Sequence, residues 1–174
     1  ALRSHLNQTQ FIHLDVKNFF NSINRTRITR CLKGRFSYSE ARDIANISTV
    51  AFQMEEGRKY ILPYGFVQSP LLASLCLHDS ALGRILKKLS NETGVKVSVY
   101  VDDIVVSTCD GDLAVAALDE IKRAAERSRF SLNADKEEGP AEHICAFNIN
   151  LSQLSLSVCA DRWSEFLQAL RYSE

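Results

Sequence analysis

Two adjacent carboxylates, Asp102 and Asp103, interrupt an apolar run of alternating β-branched residues between Val95 and Ser107. A carboxylate in a desolvated site is destabilising unless a positive charge meets it. The pair must therefore lie at a solvent edge or meet a cation. An Asp-Asp pair at the tip of a β-hairpin is also ordinary turn chemistry, and alone it favours a solvated turn.

A third carboxylate changes this interpretation. Asp15 ends a short apolar run, residues 11–15, which is typical of a strand. If that strand lies beside the hairpin, three carboxylates come together, which is unfavourable unless divalent cations lie between them. Oxygen-only ligands select hard ions such as Mg²⁺, and two such ions about 3.5–4 Å apart assist phosphoryl transfer. The alternative is that Asp15 caps the following helix.

The elements that must position these carboxylates follow from hydrophobic periodicity and from capping residues. The order β-α-α-β-α-β-β-α-β-β-α predicts an α+β fold in which helices cover one face of an antiparallel sheet. The predicted strands are 11–15, 60–62, 95–101, 104–107, 143–149 and 154–158, and the predicted helices are 18–34, 37–57, 69–89, 113–129 and one that begins at Asp161.

Composition sets limits on the function. The 174 residues are 45% hydrophobic and carry 21 basic and 21 acidic side chains, so we expect one soluble globular domain without a general attraction to nucleic acid. No apolar span is long enough for a bilayer, so we expect no membrane partner. Five cysteines in no regular framework suit a reducing compartment, which predicts a cytoplasmic location. His143 and Cys145 lack a second pair of metal ligands.

Five segments together resemble a known family. In chain order they are similar to the successive palm motifs of bacterial reverse transcriptases of the group II intron, retron and abortive-infection types. The resemblance covers residues 11 to about 158 and implies a ferredoxin-like or RRM-like polymerase palm that acts as an RNA-directed DNA polymerase, a nucleotidyltransferase. The segments are FIHLDVKNFFNSI, LPYGFVQSPLLASL, VYVDDIVVS, SLNADKEE and AFNI.

The resemblance also implies catalytic roles. Asp15, Asp102 and Asp103 would bind two Mg²⁺ ions (Mn²⁺ being an alternative), helped by the carbonyl of Val16. Lys136 would protonate the leaving pyrophosphate, although a solvated turn lysine is an alternative. The family's fingers and most of its thumb are absent, so residues 1–174 would be a palm-domain fragment. We expect the isolated fragment to polymerise poorly.

Substrate contacts follow from the same resemblance. Phe20 lies where the family carries a steric gate that selects dNTP over NTP, and Phe19 is the expected core residue. Tyr64 replaces the glutamine of most relatives, a feature of the abortive-infection branch, which acts in phage defence. The implied partners are an RNA template, a DNA or protein primer, dNTP, and the missing fingers and thumb. The remaining contacts are Gly65 and Ser69 at the nucleotide and Tyr100 and Phe147 at the primer.

Other functions remain open. A phosphoacceptor receiver domain also gathers aspartates and a lysine but requires a regular parallel β/α fold. A cyclase-type palm would carry a glycine-rich signature, which is absent. A non-catalytic polymerase-like scaffold and a defence protein that synthesises DNA without a template are further alternatives. A basic cluster could contact phosphates, form a solvated helix face or bind another domain; its members are Arg25, Arg27, Arg30, Lys33 and Arg35.

Overall fold

The computed structural model describes residues 2–54 and 57–171. Short 3-10 helices cover Leu2–His5 and Ala134–Lys136. The strands are β1 (Gln10–Asp15), β2 (Val50–Met54), β3 (Gly57–Ile61), β4 (Lys96–Tyr100), β5 (Asp103–Thr108), β6 (Glu138–Ala141), β7 (His143–Ala146), β8 (Ile149–Ser152) and β9 (Ser155–Val158). The helices are α1 (Phe19–Ser22), α2 (Arg25–Leu32), α3 (Tyr38–Ile47), α4 (Ser69–His78), α5 (Ala81–Ser90), α6 (Gly111–Arg127) and α7 (Ala160–Arg171).

The chain divides into two compact units. The first contains Ala1–Asp15, Lys88–Glu120 and Leu132–Glu174, and the second contains Val16–Lys87 and Ile121–Ser131. The assignment of residues 1–174 to one palm domain stays a prediction. Within the described residues, no helix combines the length and the apolar character that a bilayer span requires.

The first unit is built on a four-stranded sheet in the order β4-β5-β1-β6. β5 pairs antiparallel with β1 on one side and with β4 on the other. Side chains of β1 and β5 are buried along almost their whole length, including Phe11, Leu14 and Ile104 at 0% exposure. This confirms the α+β class with an antiparallel sheet, in which the strand before Asp15 lies beside the hairpin.

β6 is a strand that the sequence pattern did not predict. It contains Pro140, which is tolerated because β6 is the edge strand of the sheet. Gly139 has φ +88°, and a Cβ there would lie 2.0 Å from the Phe11 carbonyl oxygen. Only glycine allows β6 to approach β1 this closely.

A second antiparallel sheet, in the order β7-β8-β9, completes the first unit. The sequence predicted two strands here, and the structure has three. Ile144 and Leu151 from this sheet share a hydrophobic core with Phe11 and Val105. Cys145 and Cys159 form a disulfide, which the cysteine spacing did not indicate. Cys145 is therefore bonded to sulfur in this structure and is not available as a metal ligand.

The second unit corrects the helix predicted at 18–34, which is two helices. Ile23 has extended dihedral angles, and its carbonyl accepts a hydrogen bond from the Leu62 amide at 3.0 Å. Asn24 then begins α2 as its N-cap, accepting from the Arg27 amide at 2.8 Å. Asparagine is a strong N-cap residue because its side chain satisfies an amide that lacks a helical partner. That preference divides the apolar stripe into two elements.

The helix predicted at 37–57 is also shorter than expected. Its capping box is confirmed, since Ser37 Oγ accepts from the Glu40 amide and Glu40 accepts from the Ser37 amide. The helix ends at Ile47, and Val50–Met54 instead forms the hairpin strand β2, paired with β3. Short apolar runs fit both helical and strand periods, which explains the error. Residues 55 and 56 of the predicted helix lie outside the described residues.

The helix predicted at 69–89 divides at Asp79 and Ser80. Ser80 Oγ accepts from the Gly83 amide at 3.1 Å, so a new cap begins α5. The N-cap of α4 is Gln68 rather than Ser69, and Ser69 is the first helical residue, before Pro70. The prediction of Ser69 as the cap was therefore wrong by one position. Pro70 in the first turn is as expected, because it lacks only an amide that has no helical partner there.

Candidate active site

Three carboxylates lie together at one end of the β1–β5 pair in the first unit. Asp15 and Asp103 are direct partners in the antiparallel register. Asp102 lies in the two-residue turn that joins β4 to β5, so it precedes Asp103 at the same edge. We call Asp15, Asp102 and Asp103 the carboxylate edge. The expected juxtaposition of the strand aspartate with the hairpin tip is present.

The turn that carries Asp102 has an unusual backbone. Val101 has φ +58°, a left-handed conformation that a β-branched residue rarely adopts. The favoured two-residue hairpin turns have positive φ at their first central position, which asparagine, aspartate or glycine usually occupies. Strained positions of this kind occur at functional sites, where the surrounding structure holds them in place. The positive φ of Val101 thus belongs to the tight turn that places Asp102 directly before Asp103.

Asp15 is held by two side chains from the segment that precedes β6. Its side chain is 7% exposed, and Lys136 Nζ lies 3.2 Å from Oδ2. Asn133 Nδ2 donates to Oδ1 at 3.2 Å, and the Asn133 amide donates to the Asp15 carbonyl at 2.9 Å. The hydrogen bond with Asp15 and the charge of its carboxylate raise the pKa of Lys136. Sequence reasoning found Lys136 but missed Asn133.

Asp103 has a partner that sequence reasoning also missed. His13 Nε2 donates to Asp103 Oδ1 at 2.9 Å, and the His13 ring is largely buried. His13 Nδ1 is buried without a hydrogen-bond partner. A signal was available, because His13 and Asp15 are two residues apart in a strand and must share one face. The histidine therefore orients the carboxylate at the tip of the hairpin.

The oxygen ligands of the carboxylate edge suit a hard divalent cation. Burial raises the pKa of Asp102, and the nearby carboxylates of Asp103 and Asp15 raise it further. This excess of negative charge is what a cation would neutralise. In the described part of the chain, no three His, Cys, Asp or Glu side chains are grouped as ligands of one ion. Lys136 and His13 instead contact oxygens of Asp15 and Asp103.

The two residues expected at the primer come together in the first unit. The rings of Tyr100 and Phe147 lie 5.8 Å apart in an edge-to-face arrangement. Phe147 also lies edge-on to His13, with the ring centroids 6.4 Å apart. Phe147 has φ +56° at the turn between β7 and β8. An aromatic cluster of three rings therefore adjoins Asp103.

The residues expected at the nucleotide belong to the second unit. Phe19 is 2% exposed, as expected of a core residue, whereas Phe20 is only partly buried. The ring of Phe20 lies 6.0 Å from that of Tyr64, which is 89% exposed. Gly65 has φ +94°, the left-handed region that favours glycine. Ser69 Oγ, the fourth predicted nucleotide contact, is buried without a partner, and Val16, which is predicted as a metal ligand, is also buried.

The chain is similar to one family and to several solved structures. A model of the family described as reverse transcriptase (RNA-dependent DNA polymerase) matches residues 1–144. A foamy viral protease-reverse transcriptase in complex with an RNA/DNA hybrid is similar over 94% of this chain and 19% of that chain, with 19% identity and a TM-score of 0.63. Telomerase from Candida albicans, in complex with the TWJ fragment of telomeric RNA, is similar over 90% of this chain and 31% of that chain, with 11% identity and a TM-score of 0.64.

The apo telomerase of Candida tropicalis matches 87% of this chain and 33% of that chain, with 12% identity and a TM-score of 0.62. At these identities the likeness to solved structures shows the fold alone. The chain spans between 19% and 33% of the length of these three structures. No curated protein matches it at a significant level.

Proposed function

The chain belongs to the reverse transcriptase (RNA-dependent DNA polymerase) family, and we propose that it is the palm of an RNA-directed DNA polymerase. The observation that carries the proposal is the direct pairing of Asp15 with Asp103 beside Asp102. In the proposed reaction the primer 3′-hydroxyl attacks the α-phosphate of a dNTP. The new phosphodiester bond forms as the bond to pyrophosphate breaks.

We propose that Asp15, Asp102 and Asp103 hold two Mg²⁺ ions, with the Val16 carbonyl as a further ligand. When bound, such ions lower the pKa of the primer hydroxyl and neutralise the charge of the triphosphate. The chain's own contribution is to orient the carboxylates through His13 and Asn133. Mn²⁺ has the same preference for oxygen ligands and is the alternative ion.

Lys136 is proposed as the acid that protonates pyrophosphate. It lies beside Asp15 at the carboxylate edge, and its ammonium carries the proton that the leaving pyrophosphate would take. Its side chain is 61% exposed, which leaves it accessible to a substrate. A positioned proton donor of this kind accelerates a reaction by about 100-fold to 10,000-fold.

Phe20 is proposed as the gate that excludes the 2′-hydroxyl of ribonucleotides, with Tyr64, Gly65 and Ser69 binding the rest of the nucleotide. The support is that Phe20 is partly exposed and adjoins Tyr64, while its neighbour Phe19 is in the core. Replacement by alanine should increase incorporation of rNTP relative to dNTP. Unchanged discrimination in Phe20→Ala would remove Phe20 from this role.

The proposed partners are an RNA template and a DNA or protein primer, which Tyr100 and Phe147 would contact, together with fingers and thumb segments of the same enzyme. The foamy viral relative was solved with an RNA/DNA hybrid, which supports a nucleic-acid partner. Tyr64 favours a bacterial abortive-infection type that acts in phage defence in the cytoplasm. In that branch, synthesis without a template is a second candidate activity.

The test is incorporation of dNTP by the full-length protein on a primed RNA template with Mg²⁺. We expect the Asp102→Asn, Asp103→Asn variant to lose incorporation while Asp43→Asn, at an exposed carboxylate of the second unit, retains it. Equal incorporation by wild type and the double variant would refute the proposal. A parallel reaction without template distinguishes templated from untemplated synthesis.

A further inference from the structure

The second unit contains a cavity of about 660 Å³ that has no role in the reaction proposed above. Its walls are the start of α2, the α4–α5 junction and the end of α6. Five arginines line it: Arg27, Arg30, Arg84, Arg127 and Arg129. We call this cavity the arginine pocket. We propose that it binds two or more phosphates of a single molecule, either a free polyphosphate or the backbone of an RNA strand.

Five arginines of the pocket face a single carboxylate among its described lining residues. Asp79 is the carboxylate among the described lining residues, and Arg35 binds it at 2.8 Å. Hydrogen bonds from Arg35, His78 and Cys31 hold the pKa of Asp79 well below its usual range, so its charge is already compensated. Within the described residues, none of the five pocket arginines forms an ion pair with a carboxylate. Clustered cations of this kind attract an anion.

Arg27 adds an independent observation. Its Nη1 atom is buried and has no hydrogen-bond partner, although its Nη2 donates to the Ser128 carbonyl. The guanidinium carbon lies 4.3 Å from the centre of the Phe130 ring, which fixes the group in place. Burial lowers the pKa of Arg27, and Arg129 and Arg30 lower it further. A buried donor without an acceptor, on the wall of a cationic cavity, indicates an acceptor that comes from a ligand.

The basic cluster recognised in the sequence divides in a way that supports this site. Arg25 stacks on Tyr60 at 3.7 Å and donates to Thr49, and Arg35 pairs with Asp79. Lys33 lies over the ring of Tyr38. These three cations have partners outside the pocket, whereas Arg27 and Arg30 line it, Arg27 with one donor left unpaired. The basic cluster therefore forms neither a uniformly solvated surface nor a uniform phosphate-binding surface.

The lining of the pocket selects the chemistry of the ligand. Arginine guanidinium groups present paired donors that match phosphate oxygens. None of the described lining residues is aromatic, so the pocket lacks the aromatic side chains on which successive bases of a single strand stack. The volume lies within the range of roughly 300–1,000 Å³ that is typical of ligand sites and exceeds what a single phosphate fills. The pocket therefore recognises its ligand through several phosphates of that ligand and independently of base sequence.

The experiment measures binding of two probes to the full-length protein in EDTA, so that no divalent ion recruits phosphate to the carboxylate edge. The probes are inorganic tripolyphosphate, by calorimetry, and a mixed-sequence single-stranded RNA of twelve nucleotides, by fluorescence anisotropy. The pocket variant is Arg30→Gln, Arg84→Gln. The matched control is Arg42→Gln, Arg162→Gln, which removes the same charge from two exposed arginines elsewhere. Circular dichroism and thermal unfolding confirm that both variants fold.

We expect the pocket variant to bind at least one probe about tenfold more weakly and the control variant to match wild type. For RNA, the slope of log K against log salt should fall by about 1.4, since each lost contact with a single strand contributes about 0.7. If the pocket variant binds both probes more weakly, a polyphosphate group is sufficient for binding to the pocket. If it binds only the RNA more weakly, the ligand is the backbone of an RNA strand. Equal affinity of the two variants for both probes, or no binding of either probe to wild type, overturns the site.

Discussion

The carboxylate edge of the first unit and the arginine pocket of the second both concentrate charge of one sign. At the edge, Lys136 Nζ lies 3.2 Å from Asp15 Oδ2 and His13 Nε2 donates a hydrogen bond to Asp103 Oδ1 at 2.9 Å, so two of the three carboxylates have a partner in the chain. In the pocket, the one described carboxylate, Asp79, is already bound by Arg35. The edge therefore has partners for two of its three carboxylates and keeps an excess of negative charge, whereas none of the five pocket arginines pairs with a carboxylate of the described residues. Substitutions that remove one charge at a time should separate these two situations.

The largest expected effect is on catalysis at the edge. Asp15→Asn keeps the shape of the side chain but removes a charge that we assign to metal binding. Incorporation of dNTP by the full-length protein should fall by on the order of a thousandfold. The measurement is primer extension on RNA at saturating Mg²⁺, with Asp43→Asn as the control. Retention of more than about a tenth of the wild-type rate would show that the edge is not the catalytic centre.

The next effect concerns His5, a buried group of the first unit that stays neutral. Its ring nitrogens hydrogen-bond Ser107 at 2.7 Å and Ser98 at 2.9 Å. Burial, with a further contribution from Lys96, lowers the pKa of His5 to about 4 from 6.5. The unfolded chain therefore binds a proton at higher pH than the folded chain does. Stability due to this residue should be lost as the pH falls from about 6.5 to about 4, by up to roughly 3 kcal/mol.

Urea unfolding at pH 7 and pH 4.5 measures this effect. His5→Gln should lose less stability over that interval than wild type, because glutamine has no proton to bind. His143→Gln, at an exposed histidine, is the control and should behave like wild type. The same pH dependence in His5→Gln and wild type would exclude His5 as its source.

A smaller effect on the free energy of unfolding is expected from Lys136, the cation that lies beside Asp15. Lys136→Met leaves Asp15 without its ammonium partner, although Asn133 still donates to it. Because Lys136 is exposed and screened by solvent, we expect a loss of only about 0.5 kcal/mol in the free energy of unfolding at low salt. Urea unfolding in 20 mM and 1 M NaCl measures it, with salt removing most of the difference. A stabilised Lys136→Met would mean that the ion pair between Lys136 and Asp15 does not stabilise the folded chain.

The smallest expected effect is an increase, rather than a decrease, in the free energy of unfolding. Arg30→Gln removes one of several like charges in the arginine pocket, so it should stabilise the ligand-free protein by a few tenths of a kcal/mol at low salt. The same urea and salt series measures it, with Arg42→Gln as the matched control. Destabilisation by Arg30→Gln would show that the pocket has counter-charges that the present contacts do not reveal, and the comparison between the two regions would fail.

The sequence was sufficient for the parts of the site that depend on local pattern. The strand before Asp15 and the hairpin around Asp102 and Asp103 follow from period-two alternation, and their antiparallel pairing places the carboxylates together. Phe19 in the core and Phe20 partly exposed follow from helical spacing. The apolar pattern of Val50–Met54 fits both the helical and the strand period. A helix was predicted there, whereas the segment pairs as a strand.

What the sequence could not predict depends on tertiary contacts. Asn133 reaches Asp15 across 118 positions, and no local pattern links the two. Whether an arginine of α2 has a partner within the chain depends on whether tertiary packing places an aromatic ring or a carboxylate beside it. Tyr60 is such a partner for Arg25. The Cys145–Cys159 disulfide likewise requires the β7-β8-β9 meander, which the spacing of cysteines does not encode.

The most direct test of the carboxylate edge is binding of Mn²⁺ to the full-length protein, followed by electron paramagnetic resonance and by competition with Mg²⁺. We predict saturable Mn²⁺ binding from which Mg²⁺ displaces Mn²⁺. Asp15→Asn and Asp103→Asn should each weaken Mn²⁺ binding by about tenfold or more, and Asp43→Asn should leave it unchanged. Equal Mn²⁺ affinity in wild type and both edge variants would contradict the assignment of these aspartates as metal ligands.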